Sequence, residues 1–153
     1  MKVRLLAVGR DRSGLYAPAV EEYVSRLVRV LKFELVELPE ARKHAGTPQA
    51  RDEEAATILA RIEPRERVVA LDERGEEPTS LELARRVERW MTRGQDVALV
   101  IGGSDGLAPA VLERAQERLA LSRMTLAHRL ARLMLVEQLY RAMTILRGEP
   151  YHK

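Results

Sequence analysis

A glycine turn that directly follows a short buried strand is the first candidate for a ligand site in this chain. The run Val97–Ile101 is too short for an independent helix, and its β-branched residues favour a strand that is covered on both faces. Gly102, Gly103 and Gly106 follow at once, and Pro109 suits the first turn of the next helix. Glycines allow close backbone approach, and open α/β sheets bind ligands at the carboxyl ends of their strands. We therefore expect a ligand at this turn.

The spacing of these glycines argues against two familiar nucleotide motifs. They occupy relative positions 1, 2 and 5, whereas the dinucleotide fingerprint needs 1, 3 and 6, and no Gly-Lys-Ser/Thr follows to form a phosphate loop. NAD and nucleoside triphosphates are therefore disfavoured as ligands. From these residues alone, a tight turn between a strand and a helix, without any ligand, is an equally good interpretation.

A narrow polar stripe marks an otherwise apolar segment near the carboxyl terminus. Glu137, Arg141 and Thr144 fall at i, i+4 and i+7 of a predicted helix, where an ordinary Glu–Arg helix pair is the simpler interpretation. His128 and Arg129 lie at the start of the same helix. A structural or solvated histidine is the simpler alternative to a catalytic one at that position.

Length and composition narrow the class of protein. A chain of 153 residues can bury a substantial core and predicts a single domain spanning residues 1–153. There is no cysteine, which removes disulfides, thiolate metal sites and a cysteine nucleophile, and is compatible with a reducing compartment. The three histidines lack the spacing of metal ligands, so we expect no metal.

The charge and the apolar runs restrict the partners. The net charge of +3, from 26 basic and 23 acidic residues, permits a polyanion partner without requiring one. No apolar run approaches the roughly 20 residues of a membrane span, so no membrane contact is expected. The run within Met1–Gly9 is too short for a signal peptide and predicts a first strand.

Strands alternate with helices through most of the chain. Four apolar segments predict strands: Val3–Val8, Phe33–Leu38, Arg67–Asp72 with a turn at Glu73–Gly75, and Val97–Ile101. Three features predict the helices between them: the apolar face from Val20 to Leu31, the Thr47-Pro48 start, and the Thr79–Glu82 capping box. This alternation predicts an α/β fold with a mostly parallel sheet and helices on both faces.

The last part of the chain is predicted to be mostly helical. Leu112–Leu119 continues the helix that Pro109 begins, and Ala120–Leu126 is either a last strand or a loop. Ala127–Arg147 forms a long terminal helix, which Gly148 ends. The apolar side chains of that helix lie nearly all round its axis. This pattern predicts burial on more than one side and suggests a partner subunit as well as the core.

Four separated blocks carry a resemblance to a known family. They are LVIGGSDGL at 99–107, LSRMTLAH at 121–128, LVEQLYRA at 135–142 and GEPYHK at 148–153. The segment Ala7-Val-Gly9 near the start adds to them. In order and spacing over the whole chain, these blocks resemble the RlmH family of ribosomal RNA large-subunit methyltransferases, in the SPOUT superfamily.

The resemblance implies a fold, an assembly and an activity. The fold is a compact α/β domain whose carboxyl-terminal part passes through a preceding loop to make a deep trefoil knot, which general rules of topology would exclude by default. The assembly is a homodimer. The activity is transfer of a methyl group from S-adenosyl-methionine to ring nitrogen 3 of a pseudouridine in large-subunit ribosomal RNA, in the cytoplasm and on assembled ribosomes.

The resemblance also implies where S-adenosyl-methionine binds. The implied positions are Leu71, Gly102, Leu121, Ser122, Arg123, Met124, Thr125 and Leu126. We expect backbone groups to hold the cofactor and Leu71 to pack on its adenine, so that Gly102→Val blocks binding. Ala127 departs from the family, which often has proline there. Loss of the proline's conformational restriction loosens the loop but removes no chemical group.

The acceptor nitrogen carries a proton, so a base or a group that stabilises the resulting anion should assist the transfer. The candidates are His128, Glu137, Arg141, Tyr151 and His152. The sequence does not rank them as bases, although Arg141 suits anion stabilisation because a guanidinium stays protonated. We expect the tail Tyr151–Lys153 beside the methyl-transfer centre of the partner subunit, and a frayed terminus is the alternative.

Two classes of function follow from these observations. The first is an RNA methyltransferase. The second is a non-catalytic ribosome-associated protein that binds RNA or assists assembly. The intact glycine turn and the polar tail favour the enzyme.

Overall fold

An all-parallel sheet of five strands forms the centre of the computed structural model, which describes residues 1–153. The strands lie in the order β2-β1-β4-β3-β5. Their bounds are β1 Val3–Val8, β2 Phe33–Leu38, β3 Arg67–Glu76, β4 Val97–Ile101 and β5 Glu117–Leu119. The helices are α1 Ala17–Leu27, α2 Pro48–Leu59, α3 Ser80–Arg93, α4 Pro109–Arg114 and α5 His128–Leu146. The predicted α/β class is confirmed.

Helix boundaries follow the local chemistry of the sequence. Thr47 caps α2 by accepting a hydrogen bond from the backbone of Ala50, and the next residue is the expected proline. The capping box of α3 forms as predicted between Thr79 and Glu82. Gly94 ends α3 in the left-handed conformation, with φ of 63°.

The core has two parts, one on each face of the sheet. On one face α1, α3 and α5 pack over alternate strand residues such as Leu5, and Leu139 of α5 is buried there. On the other face α2 and α4 pack over the intervening residues such as Leu6, with Ile58 buried. Because successive strand residues point to opposite faces, both faces must be apolar and both must be covered. The predicted covering of the sheet on both faces is confirmed.

Strand β3 is longer than predicted. It continues to Glu76 instead of ending at Asp72, so Glu73–Gly75 extends the strand and does not form a turn. The pairing with β5 shifts register between Leu71 and Glu76. A side chain on Gly75 would lie only 2.6 Å from the carbonyl carbon of Arg118, so this glycine serves close approach of two strands.

The prediction of a helix over Leu112–Leu119 is wrong. Helix α4 ends at Arg114, and Glu117–Leu119 is the edge strand β5, paired parallel with β3. Burying Leu119 against the sheet overrides the helical propensity of the segment, because tertiary packing outweighs small propensity differences. Of the two alternatives for Ala120–Leu126, the loop is correct. The connection between β2 and α2 contains a short 3-10 turn at Arg42–His44.

Helix α5 runs between α1 and α3, and no residue in it is exposed. Its neighbours within the chain therefore account for much of the burial that the all-round apolar pattern predicted. Arg132 ties its amino-terminal part to the end of β1, donating to the carbonyls of Val8 and Gly9 at 3.3 and 2.6 Å and pairing with Glu37 at 2.8 Å. The threading of a trefoil knot stays a prediction of the resemblance. No helix has the length and apolar character needed to cross a membrane.

Candidate active site

A cleft of about 350 Å³ opens at the carboxyl ends of β3 and β4, where open α/β sheets bind ligands. Its walls are the glycine turn after β4, the end of β3 and the loop after β5. The amino-terminal turns of α5 close one side, through His128 and Ala131. Leu71, Ile101 and Leu121 supply apolar surface, and the turn supplies backbone groups. This mixture suits a ligand that has both a flat apolar part and polar ends.

The glycine turn is tight because its two ends nearly touch. The amide of Gly106 donates to the carbonyl of Gly103 at 3.1 Å, and Gly106 has a φ of +75°, which favours glycine. A side chain on Gly102 would lie 2.6 Å from the carbonyl oxygen of Gly106. The closest obstacle at Gly102 is therefore the chain itself. A side chain there would therefore also disturb the turn, and the expected block of cofactor binding stays a prediction.

The residues implied as cofactor-binding converge on this cleft, with one exception. Leu71, Gly102, Leu121, Ser122, Met124, Thr125 and Leu126 all line it, whereas Arg123 does not. The hydroxyl of Thr125 donates to Glu73 at 2.9 Å and so joins the loop after β5 to strand β3. Their role in binding a cofactor stays a proposal.

Two nitrogen atoms at this cleft have no partner within the chain. Nε of Arg51 and Nε2 of His128 are both buried without a hydrogen bond. Burial lowers the pKa of His128, and the neighbouring Arg129 guanidinium lowers it further. His128 is therefore a neutral imidazole at neutral pH. Arg51 is a cation without an acidic partner, facing the glycine turn, and the sequence analysis missed it because a lone arginine on a helix carries no motif.

Glu54 packs against the glycine turn, and the sequence analysis missed this residue as well. It is 8% exposed, accepts a hydrogen bond from the backbone of Ala41 at 3.2 Å, and lies against Gly103. Burial raises the pKa of Glu54, and the nearby Asp105 and Glu40 carboxylates raise it further. Burying a carboxyl group without a cationic partner costs free energy. Its position beside the glycine turn therefore marks Glu54 as a candidate for a role at this site. No periodicity in the sequence distinguishes it from its acidic neighbours on α2.

A second polar cluster lies on the carboxyl-terminal half of α5. The Glu137 carboxylate accepts from Nε and Nη2 of Arg141 at 3.1 and 2.6 Å, and from the hydroxyl of Tyr151 at 3.0 Å. That hydroxyl also lies 3.2 Å from the hydroxyl of Tyr23. Nη1 of Arg141 lies 3.4 Å from Nδ1 of His152. The structure thus brings together every predicted catalytic candidate except His128.

Each member of this cluster has a defined protonation role. Arg141 stays protonated, and its hydrogen bonds to Glu137 raise its pKa. Burial and the hydrogen bonds to Tyr23 and Glu137 raise the pKa of Tyr151, so its hydroxyl is a donor at neutral pH. Because a guanidinium only donates, Nδ1 of His152 can only accept in its contact with Arg141.

The carboxyl-terminal tail is docked, not frayed. The Tyr151 ring meets the Tyr140 ring edge-on at 5.0 Å, and the Arg141 guanidinium lies over it at 4.8 Å. The Tyr151 amide also donates to the carbonyl of Glu149 at 2.9 Å. These contacts order the segment that carries His152.

The cleft and the cluster are separate within one chain. No residue of the cluster lines the cleft. At 1.5 Å of rise per residue, Arg141 lies about 15 Å along the α5 axis from Ala131 at the cleft. One chain therefore presents the cleft and the cluster as two separate features. No group of three or more His, Asp or Glu side chains has a metal-binding arrangement.

Comparison with known proteins identifies the class to which this fold belongs. The family model described as "predicted SPOUT methyltransferase" matches residues 1–152. A solved structure of a "probable methyltransferase" from Bordetella pertussis Tohama I aligns with a TM-score of 0.58 at 20% identity, over 93% of this chain and 96% of that one. A methylase family protein from Haemophilus influenzae Rd KW20 aligns with a TM-score of 0.58 at 16% identity, over 99% of this chain and 70% of that one. The fold is that of the SPOUT methyltransferase class.

Curated relatives narrow the class to a family. A ribosomal RNA large subunit methyltransferase H from Anaeromyxobacter sp. (strain K) is 78% identical over 153 residues, with 100% of each chain covered. Another from Porphyromonas gingivalis (strain ATCC 33277) is 44% identical over 155 residues, with 99% of each covered. This chain belongs to the ribosomal RNA large subunit methyltransferase H family. The family that the four sequence blocks predicted is confirmed.

Proposed function

We propose that this chain methylates ring nitrogen 3 of a pseudouridine in large-subunit ribosomal RNA, with S-adenosyl-methionine as the methyl donor. Membership of the family supports the RNA class and the reaction type. The observation that carries the assignment is the assembly of Glu137, Arg141, Tyr151 and His152 into one hydrogen-bonded cluster. A non-catalytic RNA-binding protein has no need of this arrangement. The ribosomal substrate and the absence of a membrane helix support a cytoplasmic location.

The cleft fits S-adenosyl-methionine in three respects. The close approach of Gly102 to Gly106 leaves backbone groups facing the cleft, Leu71 and Leu121 supply apolar walls for an adenine, and Arg51 offers a cation without a partner. The bound cofactor supplies a methyl group on a positively charged sulfur. A methyl in that form needs only an in-line nucleophile, so positioning by the chain should provide much of the rate enhancement.

The cluster on α5 supplies what the acceptor needs. The imide nitrogen of a pseudouridine must lose its proton, which leaves negative charge on the neighbouring oxygens. Arg141, held in place by Glu137, is a fixed cation that stabilises this charge, and the Tyr151 hydroxyl is a second donor. The Glu137 carboxylate is already occupied by hydrogen bonds. Nδ1 of His152 accepts only one longer contact, from Arg141 at 3.4 Å, so it is the more available base of the cluster, and we assign the proton to it.

The separation of cleft and cluster supports a homodimer with shared active sites. If the α5 helices of two subunits run antiparallel across a two-fold axis, the carboxyl-terminal half of one lies beside the amino-terminal half of the other. The cluster of each subunit then completes the cleft of its partner. Partly buried apolar residues of α5, such as Leu133, provide surface for this contact.

Methyl transfer to ribosomal RNA tests the proposed function. The protein is incubated with labelled S-adenosyl-methionine and free large-subunit RNA, large subunits or whole ribosomes, and the product nucleoside is identified by mass spectrometry. We expect label at ring nitrogen 3 of a pseudouridine in at least one substrate. Arg141→Met should lower the rate at least about tenfold, while Arg29→Met, at an exposed arginine away from both halves of the site, should not. No label in any substrate would refute the proposal.

Mixed dimers test the shared site. Gly102→Ala impairs the cleft and Arg141→Met impairs the cluster, and each variant alone should keep at most about a tenth of the wild-type activity. In a coexpressed mixture, half of the dimers are heterodimers and one of their two sites is intact, so activity should return to about a quarter of the wild-type level. If each site were built within one subunit, the mixture would stay at about a tenth or less.

A further inference from the structure

A groove rich in arginine runs along the free edge of the sheet, beside β5. It has a volume of about 400 Å³, and its walls come from β3, α3 and β5. Six arginines and two glutamates line it: Arg67, Arg74, Arg86, Arg89, Arg93, Arg118, Glu76 and Glu117. Six arginines against two glutamates leave the groove with four excess positive charges. For a chain whose whole net charge is +3, this is a concentration of charge in one place.

The two glutamates neutralise only the inner arginines. Glu117 accepts from Nε of Arg67 at 2.5 Å, from Arg86 at 3.0 Å and from the Trp90 indole at 3.0 Å. Burial alone would raise the pKa of Glu117, but these hydrogen bonds and charges outweigh it and lower the pKa. Arg86 also pairs with Glu76. This inner network is structural, since it joins β3, α3 and β5 and pairs both glutamates with arginines, while Nε of Arg86 stays without a hydrogen-bond partner.

The outer arginines have no such partners. Arg74, Arg89, Arg93 and Arg118 are exposed. Arg89, Arg93 and Arg118 have no carboxylate within 4.0 Å, and Arg74 reaches one only at that distance, on Asp72. Exposed guanidinium groups without partners, gathered around one groove, attract anions and favour phosphate because their paired N–H groups match its oxygens.

The groove adjoins the cleft of the candidate active site. Arg74 lines both. A polymer with one end in the cleft can therefore pass Arg74 and extend along β5. A small anion would have no reason to need several cations spread along a strand, whereas a nucleic acid backbone presents phosphates in series.

We propose that this groove binds the phosphate backbone of the RNA that carries the target nucleotide, next to the cleft and outside the catalytic cluster. The proposal rests on the proposed function for the identity of the RNA. Arg89, Arg93 and Arg118 contact phosphates and fix the register of the strand, while the cleft and cluster select the nucleotide. Such contacts raise affinity and its dependence on salt without specifying sequence.

A pair of triple variants tests this assignment. The groove variant combines Arg89→Gln, Arg93→Gln and Arg118→Gln, and leaves Arg74 unchanged because that residue also borders the cleft. The control variant combines Arg29→Gln, Arg61→Gln and Arg65→Gln, which are exposed arginines without carboxylate partners near the amino ends of the strands. Both variants lower the net charge by three, so a general electrostatic effect would appear equally in both.

Binding to large-subunit RNA is measured directly over a range of monovalent salt, together with binding of S-adenosyl-homocysteine. We expect the groove variant to bind RNA at least about tenfold more weakly at 0.1 M salt and to lose about two from the log–log salt slope, since each phosphate contact contributes roughly 0.7 to 0.9. The control variant should change affinity less than about threefold. Cofactor affinity should be unchanged in both, which would show that the groove variant is folded.

Two results would overturn the proposal. One is equal RNA affinity and salt slope in the groove and control variants. The other is a groove variant that loses cofactor affinity while binding RNA normally, which would make the groove part of the cleft. Because the measurement is binding and not methyl transfer, it is independent of the test of the proposed function. A wild-type protein that binds RNA through the groove and transfers no methyl group would refute only the enzymatic activity.

Discussion

Gly102→Ala should disturb both the fold and the cleft, because Gly102 faces the backbone of its own turn. The new methyl carbon would lie 2.6 Å from the carbonyl oxygen of Gly106 and 2.7 Å from its carbon. Ordinary contacts begin at 3.4 Å, so the two backbone segments must separate by about 0.8 Å, the difference between 3.4 and 2.6. Neither side is a flexible side chain that could move away cheaply.

The expected cost follows from this displacement. Overpacking typically costs about 1–3 kcal/mol, and at this chain length each kcal/mol lowers the Tm by roughly 2–4 °C, so a fall of about 2–12 °C is expected. The displaced turn is also a wall of the cleft. A shift approaching 1 Å should weaken binding of S-adenosyl-homocysteine at least about tenfold, because hydrogen bonds weaken steeply with distance and angle.

Gly94→Ala is the matched control. Gly94 adopts φ of +63° with nothing near its missing side chain, so alanine there adds only backbone strain, about 1–2 kcal/mol. Gly94 lies just before β4, at the amino ends of the strands and away from the cleft at their carboxyl ends, so cofactor affinity should be unchanged while the Tm falls. Thermal unfolding and calorimetry measure both quantities. Wild-type stability in Gly102→Ala would contradict the close approach, and lost stability with full affinity would show that the cofactor binds elsewhere.

Three further outcomes are expected. Removing Tyr151–Lys153 should leave folding and cofactor binding largely intact and reduce methyl transfer at least about tenfold; full activity would make the docked tail merely structural. Arg51→Met should weaken the binding of S-adenosyl-homocysteine, measured by calorimetry, and leave the binding of 5′-methylthioadenosine unchanged, because that compound lacks the carboxylate. Equal losses of affinity for the two compounds would refute a contact between Arg51 and the carboxylate. Because the pKa of Glu54 is raised in the folded protein, the protonated carboxyl stabilises the fold at low pH, and this contribution is lost as the pH rises through the folded pKa. Glu54→Gln should therefore raise the Tm more at pH 8 than at pH 5. A change in Tm that does not depend on pH would refute this.

The sequence predicted the parts of the fold that depend on local pattern. The strand Val97–Ile101 and the capped helix starting after Thr79 follow from apolar periodicity and from side-chain caps, and both occur where expected. The sequence did not predict the strand Glu117–Leu119, because three residues are too few to show a periodic apolar pattern. Their strand conformation depends on pairing with β3. The extension of β3 beyond Asp72 was missed for a related reason. Gly75 resembles a turn residue in isolation and becomes a strand residue only when Arg118 lies against it.

The candidate site also has parts that local sequence pattern predicts and parts that depend on tertiary contacts. Glycine spacing and the carboxyl end of a strand predicted the cleft from residues adjacent in the chain. Arg51 and Glu54 approach the glycine turn from a helix about a third of the chain away, so no local pattern could place them there. The pair Glu137–Arg141 was visible at i, i+4, but its simplest interpretation was an ordinary helix pair. The pair does form, and Tyr151 also docks onto it, which is a tertiary contact that residue spacing cannot predict.

Helix α5 accounts for the partner subunit that the proposed function requires. Its amino-terminal turns must close the cleft, and Arg132 fixes them to β1. Its carboxyl-terminal half is then carried about 15 Å away by the geometry of the helix, together with the cluster that Tyr151 completes. No rearrangement of side chains spans that distance, and bending a helix confined between α1 and α3 would expose the core. A second copy joins the halves without changing either. The rigidity that separates cleft from cluster in one subunit would, in a dimer, hold them at a fixed distance.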